Sequence, residues 1–150
     1  MTENTAKRFR LEHVGIAVKD LESAREQYAR ILGTAASPVE EVPSEQVRLS
    51  FFELENCRLE LLEPTGPESP IQKFLDRGRS GVHHLAFTAD TPHLAELSEQ
   101  LKSLGVPVVG DEVKSGSSGS EVFFLHPRAA SGVLIEFTRP ASHEEDPDFR

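Results

Sequence analysis

The sequence contains one cysteine, Cys57, in 150 residues. One thiol cannot close an intramolecular disulfide, and no cysteine cluster is available to hold a metal. Long apolar runs are also missing, and none approaches the roughly 18–20 residues that a membrane span needs. Met1–Arg10 is polar and mixed in charge, so no signal peptide is expected there. A basic excess is absent as well, since the formal net charge is −9. That balance argues against the broad basic face that nucleic acid or anionic lipid requires. These absences point to a cytoplasmic protein with no nucleic-acid or membrane partner. They leave room for an anionic small molecule, because salt screens charges beyond about 8–10 Å and a local Arg/Lys patch can overrule the global sign. Residues 141–150 are polar, acidic and aperiodic, and are expected to form a disordered tail.

What is present is a chain written twice. The hydrophobic content of 37 % supports a buried core at this length, in one domain or two tightly packed halves. Leu11–Val18 and Val82–Ala89 both read as strands, and His13 aligns with His84 at an offset of 71 residues. A helix follows each. In the first, Asp20 is the expected cap, Leu21, Ala24, Tyr28, Ile31 and Leu32 form the apolar stripe, and Gly33 is the stop. In the second, Asp90 or Thr91 caps, Pro92 opens, Leu94, Leu97, Leu101 and Leu104 form the stripe, and Gly105 ends it. Weak strands are expected near Ala35–Val42 and Val106–Val113. Strands with paired phenylalanines come next, Phe51-Phe52 and Phe123-Phe124. Each half then closes on a strand with a Glu four residues before a proline: Glu60 before Pro64, and Glu136 before Pro140. The predicted order β-α-β-β-β therefore occurs twice, in modules of about 11–64 and 82–140. A short helix over 69–77, opened by Ser69 and Pro70, links them, and residues 1–10 form an N-terminal extension to a single domain over 11–140.

The duplication turns four unremarkable residues into a candidate site. A lone His or Glu on a strand is usually packed or solvated. Here His13, Glu60, His84 and Glu136 sit at equivalent places in the two modules. Each Glu lies between apolar neighbours, Leu59 and Leu61 or Ile135 and Phe137, so period-2 alternation sends both Glu side chains to the opposite face. Two imidazoles and two carboxylates suit a divalent cation with positions left for water or substrate. Among Co²⁺, Mn²⁺, Ni²⁺, Fe²⁺ and Zn²⁺ the residues themselves do not choose. His83, beside His84, points to the other face and reads as structural. His93, His126 and His143 have no repeat partner as ligands.

Leu11-Glu-His-Val-Gly-Ile-Ala-Val18, Leu59-Glu-Leu-Leu-Glu-Pro64, Ser69-Pro-Ile71, Lys73-Phe-Leu75, Gly81-Val-His-His-Leu-Ala-Phe87, Phe124-Leu-His-Pro127 and Gly132-Val-Leu-Ile-Glu136 occur in this order. Together they resemble the methylmalonyl-CoA epimerase branch of the glyoxalase and extradiol-dioxygenase superfamily, over about Leu11–Pro140. The resemblance implies an α+β fold of two tandem βαβββ modules, a U-shaped mixed sheet around a metal, and a homodimer. It implies His13, His84 and Glu136 as metal ligands, with Glu60 where some members carry Gln as a fourth. Co²⁺ becomes the first expectation, ahead of Mn²⁺, Ni²⁺, Zn²⁺ and Fe²⁺. One departure matters. Some members carry a catalytic Glu two residues after the Val of a Glu-Gln-Gly-Val segment. Here the segment is Glu45-Gln46-Val47-Arg48-Leu49, without the Gly, and Leu49 cannot move a proton.

The implied reaction exchanges (2R)- and (2S)-methylmalonyl-CoA through an enolate. Proton removal and return on opposite faces needs two acid–base groups, and Glu60 and Glu136 are the candidates, with Glu45 in reserve. For the acyl-CoA phosphates, the Lys114–Ser120 loop offers Ser117 and backbone N–H groups, and Lys114, Arg128 and Arg48 offer charge. Three other readings remain: a glyoxalase-I-like lactoylglutathione lyase, an Fe²⁺ extradiol dioxygenase, and a metal-free binding protein. Glu60 as a fourth ligand disfavours the dioxygenase, and four ligand-type residues disfavour the metal-free protein.

Overall fold

Alternation on the strands and apolar stripes on the helices decide which face each element buries. The computed structural model describes residues 9–79, 81–89 and 93–140. The first repeat gives β1 (Phe9–Ala17), α1 (Leu21–Leu32), β2 (Glu40–Val42), β3 (Val47–Glu53) and β4 (Arg58–Pro64). The linker gives α2 (Pro70–Asp76), and the second repeat gives β5 (Gly81–Ala89), α3 (Leu94–Ser103), β6 (Val108–Ser115), β7 (Glu121–Leu125) and β8 (Leu134–Arg139). The doubled β-α-β-β-β order is the one read from the sequence.

The chain forms two compact units, and their boundaries fall inside β1 and β5 rather than between the repeats. The first unit is Glu12–Ala86; the second takes the described residues up to Leu11 and from Phe87 onward. In the first unit the strand order is β2-β3-β4-β1-β5. β1 runs parallel to β4, while β2–β3 and β3–β4 are antiparallel. Period 2 separates the paired phenylalanines of β3. Phe52, with Ile16 and Leu61, packs on Leu21 and Ala24 of α1. Phe51, with Ala17, Leu49 and Leu62, shares a cluster with Ile71 and Leu75 of α2. Asp20 caps α1 by accepting from Ser23 N–H, and Gly33 ends it in the left-handed region at φ 69°. Ser69 caps α2 the same way, accepting from Ile71 N–H, with Pro70 in the first turn.

In the second unit β8, β7 and β6 are antiparallel neighbours. Leu94 and Leu97 of α3 pack on Phe123, Leu125 and Phe137.

Several boundaries differ from expectation. β1 starts at Phe9, inside the expected extension, because the Phe9 ring packs 5.5 Å from that of Phe137. β2 is only three residues long. Upstream of it Pro38 has no N–H to give, and Ser37 is held by Phe51: its N–H donates to Phe51 O and its Oγ accepts from Phe51 N–H. β6 starts two residues late because Val106 N–H is spent on Leu101 O and Pro107 has none. α3 begins at Leu94 with His93 as an N-cap whose side chain makes no capping bond. The expected cap and opening residues, Asp90, Thr91 and Pro92, lie outside the described residues, as do residues 1–8 of the extension and the 141–150 tail.

Candidate metal centre

Three of the four expected ligands meet inside the first unit. His13 comes from β1, Glu60 from β4 and His84 from β5, and each is only 4 % exposed. The register puts Gly15 opposite Glu60 and Ala17 opposite Leu62 on the parallel β1–β4 pair. His13, Glu60 and Leu62 thereby share the face that carries the Phe51 cluster, as alternation requires.

The donor atoms are close. His13 Nε2 lies 3.1 Å from His84 Nε2. Glu60 Oε1 lies 3.5 Å from His13 Nε2 and 3.4 Å from His84 Nε2. Donors bound to one cation at about 2.0–2.2 Å, at mutual angles near 90–110°, are separated by roughly 3.0–3.5 Å. The trio fits one ion, and no other group of three or more His, Cys, Asp or Glu with that potential occurs among the described residues. N, N and O donors suit the borderline divalent metals.

The imidazoles are held from behind. His13 Nδ1 bonds Glu12 Oε2. Glu12 Oε1 accepts from Arg58 Nε at 2.7 Å, and the Arg58 guanidinium carbon lies 3.8 Å above the Phe51 ring. His84 Nδ1 lies 2.9 Å from His83 Nδ1, and His83 rests edge-on to Phe74 of α2. Gly15 leaves the space that the His84 ring occupies: a Cβ there would stand 2.1 Å from His84 Cε1.

Burial sets the charges. It pushes the Glu60 carboxyl up, but the hydrogen bond with His84 and the charges of His13 and His84 outweigh it and hold Glu60 below the usual carboxylate range. Glu12 follows the same balance, with burial opposed and outweighed by His13 and Arg58. Burial, with His84 alongside, lowers His83 to about 4, so it stays neutral.

The other expected residues lie elsewhere. Glu136 is buried on β8 of the second unit, in register with Phe124. Lys114 is exposed on β6, Ser117 opens a 3₁₀ turn over Ser117–Gly119, and Arg128 is exposed in a second such turn over Pro127–Ala130. Arg48 pairs with Glu22 at 3.6 Å. Leu49 is buried in the Phe51 cluster, and Glu45 ends a 3₁₀ turn before β3. Sequence reasoning passed over Glu12, Arg58 and His83's tie to His84. Alternation assigns Glu12 and His83 to the faces away from their histidine neighbours, and only the β1–β4 register, His13 opposite Arg58, could have exposed the first link.

Residues 12–124 match the Glyoxalase/Bleomycin resistance protein/Dioxygenase superfamily. The mitochondrial methylmalonyl-CoA epimerase of Homo sapiens is 41 % identical over 85 % of this chain and 72 % of its own. The ethylmalonyl-CoA/methylmalonyl-CoA epimerase of Cereibacter sphaeroides is 39 % identical over 85 % of this chain and 95 % of its own. A Streptomyces coelicolor methylmalonyl-CoA epimerase variant solved with 2-nitronate-propionyl-CoA superposes with a TM-score of 0.84 at 34 % identity, covering 91 % of this chain and 97 % of its own. The expected fold is therefore the observed one, and the chain belongs to the glyoxalase/bleomycin resistance protein/dioxygenase superfamily and, within it, to the methylmalonyl-CoA epimerase family.

Proposed function

We propose that this chain interconverts (2R)- and (2S)-methylmalonyl-CoA and that the reaction depends on a divalent metal held by His13, Glu60 and His84, with Glu136 assigned as fourth ligand on the family likeness. The observation that carries the reading is the buried convergence of two imidazoles and a carboxylate in a chain with relatives named as epimerases of this substrate. The reading includes Co²⁺ as the first ion to test, a homodimer, and a cytoplasmic setting. Among the described residues no helix is long and apolar enough to cross a membrane.

The substrate has one C–H between a carboxylate and a thioester carbonyl. A divalent cation in the site supplies Lewis acidity toward those oxygens. The chain's own part is to hold the donors and to move a proton. Glu60, kept ionised, takes the α-proton, leaving an enolate. Glu136, in its protonated form and so not bound to the cation at that step, returns a proton to the opposite face, and the roles reverse for the other epimer. Leu49 leaves this task to them, because its own side chain carries no proton that can be exchanged. Lys114, Ser117 and Arg128 are assigned to the CoA phosphates, as charge and donors on surface segments.

The test is α-deuterium uptake from D₂O by (2R)-methylmalonyl-CoA, followed by NMR, with cobalt-loaded and EDTA-treated protein. Exchange with inversion in the loaded sample, lost with EDTA, is the expected result. Glu60→Gln should keep the fold and slow exchange by about 10²–10⁴-fold. Equal exchange with and without metal would remove the cation from the reaction; no exchange with metal bound would move the substrate to a glutathione hemithioacetal.

A further inference from the structure

We infer that Glu12, braced by Arg58, is a positioning residue that fixes the tautomer and orientation of His13; the inference rests on the metal reading above for its consequence and on geometry for its content. A histidine that offers Nε2 to a cation must carry its proton on Nδ1, and free imidazole does not favour that tautomer. An acceptor at Nδ1 is therefore part of a competent site. His13 has one, the Glu12 carboxylate.

The two oxygens of Glu12 are divided between two tasks. Oε2 faces His13 Nδ1, while Oε1 takes both Arg58 contacts, Nε at 2.7 Å and Nη2 at 2.5 Å. Arg58 is itself fixed, with its guanidinium carbon over the Phe51 ring and with Glu53 Oε1 3.9 Å from Nη1. Phe51 then returns to the site, its ring 5.9 Å from that of His13 at 75°. His13, Glu12, Arg58 and Phe51 thus close a loop of contacts around one ligand. The Glu12 side chain is 18 % exposed, so water competes weakly for its oxygens.

His84 supplies the contrast. Its Nδ1 meets another imidazole, that of His83, at 2.9 Å. The contact behind His13 is thus made by a carboxylate, and the one at His84 Nδ1 is made by a ring. Removing Glu12 should disturb His13 and leave the His83–His84 contact in place.

The experiment uses the full chain in three forms, wild type, Glu12→Ala and Glu12→Gln. Metal-free protein at pH 9, above the ordinary imidazole range, is examined by long-range ¹H–¹⁵N NMR. Wild-type His13 should show the Nδ1–H tautomer, Glu12→Ala should shift it toward Nε2–H, and His84 should stay unchanged as the report of an intact fold. Glu12→Gln, which keeps an acceptor and loses the charge, should preserve the tautomer. Zn²⁺ titration by calorimetry should then show Glu12→Ala weakened by about 10–100-fold and Glu12→Gln by less. An unchanged His13 tautomer in Glu12→Ala, with wild-type Zn²⁺ affinity, would overturn the inference. Wild type that binds no metal, yet shows a Glu12-dependent tautomer, would sink the metal reading and leave the positioning role standing.

Discussion

Gly15 lies in the middle of β1, where a glycine normally costs stability because it packs nothing and leaves the unfolded chain freer. An alanine at an ordinary strand position would regain about 0.5–1 kcal/mol. At Gly15 the added methyl would stand 2.1 Å from His84 Cε1, so the imidazole must swing out of line with His13 and Glu60. Gly15→Ala is therefore expected to leave far-ultraviolet circular dichroism unchanged and to weaken divalent-metal binding by about 10-fold or more. A stabilised variant with wild-type metal affinity would show that the close approach has no role. The same scale shows what the sequence could and could not reveal. His13, Glu60 and His84 were legible because the duplication placed them at matching positions. Glu12 and His83 were not, because each contacts its own chain neighbour across the alternation that sequence reading relies on.

At the scale of elements, legibility followed local chemistry. α1 and α2 were read closely because their first-turn signals are side chains with a fixed job: Asp20 accepting from Ser23 N–H, and Ser69 accepting from Ile71 N–H. β2 and β6 were misjudged in extent because Ser37 and Val106 spend their N–H groups on partners that no pattern of hydrophobicity announces. The α1 start can be tested. Glu63 Oε2 on β4 accepts from Leu21 N–H at 2.8 Å, so two carboxylates serve this helix end. Asp20→Ala removes one and should cost about 1 kcal/mol. For a chain of this size that lowers Tm by roughly 2–4 °C, read by calorimetry. The deuterium exchange rate should not change, because Asp20 contributes nothing to the donors of the site. A slowed rate at unchanged Tm would mean that the α1 start bears on the reaction.

At the scale of the molecule, the repeat and the compact unit are different divisions. The repeat assigns His84 to the second module, yet the fold places it with His13 and Glu60 in the first unit, because β5 enters that unit before leaving it at Phe87. Sequence periodicity shows which residues are equivalent; it does not show which residues the chain will pack together. This gives metal binding a spatial signature. A cation that binds only the folded chain stabilises it by about 2.7 kcal/mol at a concentration one hundred times its Kd. That corresponds to a rise in Tm of roughly 5–10 °C, which EDTA should reverse. Amide hydrogen exchange should show where the stabilisation falls. Protection of β1, β4 and β5 follows from His13, Glu60 and His84 alone. If Glu136 is a ligand as well, β8 of the second unit gains protection with them, and Glu136→Gln abolishes that gain while the first-unit protection survives. Protection confined to the first unit in the wild-type chain would take Glu136 out of the ligand set and leave it only the role of the acid that returns the proton.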